Sequence, residues 1–134
     1  MRSKKYILVG NPIPWKRPGR NKNLYYDAQK LHKENIAWEL HFQHNKEPLF
    51  NPPIRIDYKF FFEIPKSFSR PRQQALKNTW LPKDPDKTNV EKFYEDCACG
   101  VLFKDDNEIV CGYQEKRYDD GNGPRVEMEI WEIK

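Results

Sequence analysis

The chain has 134 residues, 37% hydrophobic and 14% aromatic, and 24 Lys and Arg against 20 Asp and Glu give it a formal charge of +4. Without internal repeats, that length fits one domain over residues 1–134, and the apolar content argues against disorder. No apolar run approaches the roughly 20 residues of a membrane span, and the first residues lack a signal-type apolar core, so a cytoplasmic protein is expected. Cys97, Cys99 and Cys111 are an odd set without CxxC spacing, which points to neither a disulfide framework nor structural zinc.

In chain order, Tyr6 to Val9 reads as a strand ending at Gly10-Asn11-Pro12. The loop that follows carries Lys16, Arg17, Arg20 and Lys22, and its prolines and glycines argue against regular structure. Trp15 within it suits either a packed anchor or a stacking surface for an unpaired base. Asp27 is placed to cap a helix running to about Gln43, with Ala28, Leu31, Trp38 and Phe42 near one face. His41 and His44 on it read as an exposed polar pair.

Ile54, Ile56, Tyr58, Phe60 and Phe62 alternate with polar residues, the period of a half-buried strand. Residues 65–82 are basic and proline-broken, with Lys66, Arg70, Arg72 and Lys77, and Ser69 and Pro71 are set to start a short helix near Gln73 to Lys77. Val90, Phe93, Tyr94, Cys97 and Val101 recur at helical spacing after the capping-box sequence Thr88-Asn89-Val90-Glu91, and Gly100 stands at the stop. Val101 to Phe103 starts a strand, Lys104 to Asn107 turns, and Glu108 to Tyr118 and Arg125 to Ile133 are strands joined by a turn. Helices interspersed with hairpin-linked strands predict an α+β domain with a small mixed or antiparallel sheet flanked by helices.

The chemistry is concentrated in two acidic elements. Asp84 and Asp86 are two residues apart in a proline-stiffened stretch that opens onto a helix, where Thr88, Lys92 and Asp96 share a stripe. Asp105-Asp106 follows that helix, on a path able to return it to the same neighbourhood. Hard oxygen ligands of this kind suit Mg²⁺ or Mn²⁺ acting on a phosphodiester, with a lysine to stabilise charge on phosphorus. Taken alone, the Asp pair reads first as a polar turn, and Lys92 with Asp96 as an exposed helix pair.

The run PDKTNVEKFYEDCACGVLFKDDNEIV resembles the signature of RusA-type Holliday junction resolvases: Pro-Asp-x-Asp-Asn-Leu-x-Lys, a helix Asp, a Gly-containing turn and Asp-Asp before a strand. Asp86 matches the first signature aspartate, Asn89 the asparagine, Lys92 the lysine, Asp96 the helix aspartate and Asp105-Asp106 the final pair. Lys116 resembles a basic residue on the next strand, and GNPIPWKRPGR resembles the family's N-terminal segment. The resemblance implies a homodimer that grips four-way junction DNA and nicks two strands with Mg²⁺ or Mn²⁺. Asp86 and Asp106 would hold metal, Asp105 and Asp84 complete the site, and Lys92 support the transition state. Lys16, Arg17, Arg20, Arg70, Arg72 and Lys116 would contact DNA. The second signature aspartate, usually a metal ligand, is Thr88 here. Asp84 is the first substitute for it, ahead of Glu91 or Glu95, and the alternative is a junction-binding protein that no longer cuts.

Overall fold

The computed structural model describes residues 1–17, 19–21 and 24–134, with the side chains of 20, 21 and 24–26 outside the description. The chain order is β1 (Ser3–Val9), a hairpin of β2 (Gly19–Asn21) and β3 (Leu24–Tyr26), α1 (Lys30–His44), β4 (Ile54–Phe62), α2 (Arg70–Leu76), α3 (Lys87–Ala98), a 3-10 turn (Asp106–Glu108), β5 (Ile109–Cys111), β6 (Gln114–Tyr118) and β7 (Arg125–Glu132). The β2–β3 hairpin stands in the basic loop where proline and glycine argued against regular structure.

β4 is the centre of a five-stranded mixed sheet. It pairs antiparallel with β7, from Ile54 opposite Glu132 to Phe61 opposite Arg125. Along its other edge it pairs in parallel with β5 and then with β6, from Tyr58 opposite Gln114 to Phe62 opposite Tyr118. β1 closes the far side against β7. The parallel pairing needs a crossover, which α2 and α3 supply. The mixed α+β sheet is the one anticipated, but its last strands are not hairpin-linked: β6 and β7 lie on opposite edges of β4, and Asp119 to Pro124 carries the chain across. The strand read from Glu108 to Tyr118 is interrupted at Gly112, where an added Cβ would lie 1.9 Å from the Ile56 carbonyl oxygen. Only glycine admits that approach.

The alternation along β4 puts Ile54, Ile56, Tyr58, Phe60 and Phe62 on the buried face, where they meet Tyr6 and Leu8 of β1, Val126, Met128 and Ile130 of β7 and the inner side of α3. On α3 Val90, Phe93, Tyr94 and Cys97 are buried at the expected helical spacing. The segment Val101 to Phe103 is a turn rather than a strand. Leu102 and Phe103 plug the core there, and the Leu102 carbonyl accepts from Phe50 N at 2.8 Å. α2 begins where Ser69 caps it, accepting from Arg72 N at 3.4 Å, so the helix starts three residues before the expected Gln73.

α1 departs most from expectation. Asp27 does not cap it; its carboxylate accepts from Gln29 N at 2.9 Å in a turn that leads into the helix at Lys30. The anticipated contact face is the one left in solvent, with Leu31 67%, Trp38 72% and Phe42 83% exposed, while Leu40 and His44 are buried. What turns the helix this way is polar as well as apolar. Gln43 accepts from Ile7 N at 3.0 Å and donates to Ile7 O at 2.8 Å, closing the free edge of β1. His44, read as exposed, is hydrogen-bonded to the Tyr6 hydroxyl at 2.7 Å and the Pro48 carbonyl at 3.1 Å. Among the described residues no helix is long and apolar enough to cross a membrane.

Candidate metal centre and nucleic-acid interface

α3 is the spine of the site, and Asp86 starts it. The Asp86 side chain accepts from Asn89 N at 3.1 Å, so Asp86 is the N-cap and Thr88 lies inside the first turn. This overturns the reading of Thr88 as the cap in a capping box with Glu91. Both residues can cap a helix, but the chain enters helical geometry at Lys87, and the earlier side chain reaches the free amide. The preceding loop is fastened by Lys116 of β6, whose Nζ donates to the carbonyls of Lys83 and Pro85, both at 2.6 Å. Asp84 is exposed on that loop, at the rim of a 260 Å³ hollow lined by Asn11, Pro12, Leu81 and Tyr118 among others.

At the other end of α3 the chain turns through Cys99, whose thiol donates to the Lys104 carbonyl at 3.5 Å, into the Asp pair. Asp105 caps the 3-10 turn, accepting from Asn107 N at 3.1 Å, while Glu108 accepts from Asp105 N at 3.3 Å and Lys104 N at 3.1 Å. The Asp106 carboxyl is pushed up, first by its hydrogen bond to Asp105, then by desolvation and by the like charges of Asp105 and Asp96. Glu95, one turn back on α3, is raised to about 8 by burial, a hydrogen bond with Glu91 and the charges of Glu91, Asp106 and Asp96. The Tyr58 hydroxyl is buried without a hydrogen-bond partner, and burial first, then the charges of Glu95 and Glu91, holds its pKa well above the usual tyrosine range.

Asp105 and Asp106 thus stand together with Glu95 and Asp96, while Asp84 and Asp86 stand apart. From the Asp86 cap to Glu95 the helix advances about 13 Å at 1.5 Å per residue, whereas oxygens sharing one Mg²⁺ lie within roughly 4 Å of each other. Among the described residues no group of three His, Cys, Asp or Glu side chains converges closely enough to hold an ion. The sequence ranks Glu91 and Glu95 behind Asp84 as substitute acids, yet Glu95 is the one beside the Asp pair. The four-residue spacing of the two glutamates toward that pair is the available signal.

Cations and aromatic rings lie along the docked N-terminal loop and α3, on α2 and on β6. The N-terminal loop docks on α3 through Trp15 N to the Asn89 carbonyl at 3.0 Å and Ile13 N to the Tyr94 hydroxyl at 3.0 Å. Trp15 is half-buried, and the Lys92 ammonium lies 3.7 Å over its ring. Gln29 holds the next residues by accepting from Lys16 N at 2.9 Å and donating to the Pro14 carbonyl at 2.7 Å, which leaves the Lys16 and Arg17 side chains exposed beside the start of α3. The Arg20 side chain and Lys22 lie outside the described residues. Arg70 is exposed on α2, and the Arg72 guanidinium covers Phe68 at 3.6 Å, with Lys83 at 6.0 Å from the same ring. Arg117 stacks 3.9 Å over Trp80, a residue 57% exposed that sequence reasoning passed over. An aromatic residue in a basic, proline-rich segment was the one hint of it.

Over residues 10–131 the chain matches the family model described as Endodeoxyribonuclease RusA. It is also similar to the "Uncharacterized protein YqaN" of Bacillus subtilis (strain 168), at 29% identity over 143 residues, covering 96% of each chain.

Proposed function

From a chain that belongs to the RusA endodeoxyribonuclease family, we propose a Mg²⁺- or Mn²⁺-dependent endonuclease that grips a four-way DNA junction as a homodimer and nicks two strands symmetrically. The observation that carries this reading is the division of the carboxylates between the two ends of α3, with exposed cations and aromatic rings along the rim. The donors are hard oxygens crowded enough to raise one another's proton affinity, which is a charge excess that a divalent cation relieves. In one copy they are too far apart to share an ion. An antiparallel pairing of two copies across α3 brings the Asp86 end of one to the Asp105-Asp106 end of the other and generates two equivalent sites.

In this reading Asp86, Asp105 and Asp106 hold the ion, with Asp84 beside them. When bound, the ion supplies Lewis acidity toward the phosphodiester and lowers the pKa of water. Lys92 offsets negative charge developing on phosphorus. Lys16, Arg17, Arg20, Arg70 and Arg72 neutralise phosphates, and the guanidinium-covered rings of Phe68 and Trp80 offer surfaces to unpaired bases at the branch. The test is a synthetic four-way junction with and without Mg²⁺. Asp106→Asn should bind the junction and fail to cut it, and undiminished cutting would remove Asp106 from the site.

A second reading, a junction-binding protein that no longer cuts, is favoured by one observation: the first turn of α3 carries no acidic residue, because Thr88 stands where the family pattern has an aspartate. Under it the natural protein binds without cutting, and Thr88→Asp alone introduces metal-dependent nicking.

A further inference from the structure

We propose that the 260 Å³ hollow beside Asp84 is a pocket for one unpaired nucleobase next to the phosphodiester to be cut, and that its rim favours adenine or cytosine over thymine. The proposal rests on the endonuclease reading above and names the base-reading part of that site.

The hollow opens where β4 ends at Phe62, β6 ends at Tyr118 and the chain runs from Leu81 toward α3. Those three residues are buried, as is Pro12 beside them, so the floor is apolar. Half-buried Pro14, Pro65 and Pro85 also line it. Proline has almost no side-chain freedom to lose, so such walls receive a planar ring at little entropic cost. Hydrogen bonds fix each side of the hollow in advance. Lys116 grips the Lys83 and Pro85 carbonyls, and Leu81 N donates to the Lys116 carbonyl at 3.1 Å. Across from them Asp119 N donates to the Phe62 carbonyl at 2.7 Å, and the Asn11 side chain accepts from Glu63 N at 2.8 Å. A preformed, mostly apolar concavity with a few polar groups is the usual form of a small-molecule site, and drug-sized ligands take about 300–1,000 Å³. At 260 Å³ this one suits a single planar ring system.

The polar rim says which ring. Asn11, Glu63, Lys83 and Asp84 are exposed around the mouth. Asn11 commits its carbonyl oxygen to Glu63 N, so its NH2 group is what it offers a ligand. The rim therefore sets carboxylate acceptors beside an amide donor. Adenine and cytosine carry an exocyclic amine next to a ring-nitrogen acceptor on the pairing edge, the complement of that arrangement. Thymine puts a carbonyl where the amine would be and meets a carboxylate. Two carboxylates against one ammonium also keep a phosphate out, so the sugar-phosphate backbone stays at the mouth. Asp86 is two residues beyond Asp84, within about 7 Å along the chain, so a base in the hollow adjoins the phosphate at the Asp86 end of the site. A junction supplies such a base at low cost, because nucleotides at the branch are the least firmly stacked and paired. Glu63 lies outside the stretch that carries Asp84 and Asp86, so it tests the hollow without touching the metal ligands.

The experiment uses the full chain and immobile four-way junctions that differ in one nucleotide, each branch nucleotide being varied in turn. In metal-free buffer, 2-aminopurine at the responsive position, with its amine beside a ring nitrogen, should brighten about threefold on binding to the natural protein. With Mg²⁺, junctions carrying adenine or cytosine there should be cut about tenfold faster than those carrying thymine or an abasic site. Glu63→Ala, at an exposed position, should roughly halve the fluorescence rise and bring the adenine and thymine rates within about twofold of each other. Leu81→Trp fills the hollow and should remove the rise in protein that still binds the junction; circular dichroism verifies its fold, and Glu63→Ala keeps the test decisive if it does not fold. Equal cutting of all four junctions with no fluorescence rise overturns the proposal and leaves the nuclease reading standing. A rise indifferent to both variants overturns it too. Protein that never cuts, yet shows a rise that both variants diminish, supports the hollow and counts against the nuclease reading.

Discussion

The Glu95 carboxyl gives the sharpest quantitative test of the acidic cluster. Its pKa stands at about 8 in the folded chain against an ordinary 4.5, because it is partly buried and shares a hydrogen bond and negative field with Glu91, Asp106 and Asp96. A carboxyl whose folded pKa is raised binds its proton more tightly in the folded state. Its contribution is therefore largest below the ordinary value and is lost as pH rises from 4.5 to about 8. Undiscounted, that displacement corresponds to roughly 5 kcal/mol. Glu95 is only partly buried and coupled to its neighbours, and solvent screening reduces this to about 1–2 kcal/mol. Glu95→Gln preserves the shape and the hydrogen bond to Glu91 while removing the charge. In metal-free protein it should leave stability at about pH 5 unchanged and raise Tm at about pH 8.5 by about 4–8 °C. The assay is thermal unfolding in chelator at half-unit pH steps, for both proteins. Parallel Tm profiles, with no convergence toward acid pH, would refute the placement of Glu95 in a crowded carboxylate cluster.

The geometry also fixes the outcome of three other perturbations. Asp86→Asn keeps a good N-cap and removes a charge, so cutting should fall at least a hundredfold with stability unchanged, whereas Asp86→Ala should also cost about 1 kcal/mol in denaturant unfolding; equal activity of Asp86→Asn and natural protein would take Asp86 out of the site. Arg17→Glu with Arg72→Glu should lower the slope of log affinity against log salt for junction DNA by about 2, roughly one per phosphate contact, and an unchanged slope would mean that neither residue meets a phosphate. Lys116→Met frees two carbonyls held at 2.6 Å and should cost about 1–3 kcal/mol while leaving the salt slope alone; a shallower slope with no loss of stability would make Lys116 a DNA contact after all.

The parts of the fold visible in the sequence were those where one local rule decided the outcome. β4 and α3 each bury one face, so alternation at period two and recurrence at three and four residues identified their cores. Ser69 announced α2 because a cap is a local hydrogen bond. α1 was misjudged because hydrophobicity alone assigned its inner face. Two polar side chains, Gln43 on the edge of β1 and His44 on Tyr6, fix its rotation instead, and the aromatic stripe is left outside. The placement of β6 and β7 on opposite sides of β4 was hidden for a different reason, since a turn rich in Asp and Gly does not tell whether the strands it joins pair with each other. In the site, each acidic residue was recognisable by type, but not its neighbours. Whether Asp105-Asp106 returns to Asp86 or to Glu95 depends on the length of α3 and the direction of the crossover, which are tertiary facts.

Asp86 is bound to the helix in a way that Asp84 is not, and this bears on the missing aspartate. As N-cap, Asp86 has one oxygen committed to Asn89 N, which fixes its rotamer and leaves the second oxygen at the positive end of the α3 dipole, where negative charge is favoured. Thr88, two residues further on, is exposed in the same first turn. An aspartate there would share that field and stand beside the Asp86 oxygen without disturbing the cap. Asp84 is exposed on a loop held through its neighbours' carbonyls rather than its own side chain, so as a ligand it would first have to be ordered. The two substitutions are thus unequal. Thr88→Asp should raise metal-dependent cutting and tighten Mg²⁺ binding whether or not Asp84 is present, at a folding cost below about 1 kcal/mol, on the order of a surface change. Asp84→Asn should matter only in the chain that keeps Thr88. Measured as a double-mutant cycle on cleavage rate, the two should be strongly non-additive if Asp84 stands in for the absent carboxylate. Additive effects would assign Asp84 to the rim of the site, and cutting would then depend on Asp86, Asp105 and Asp106.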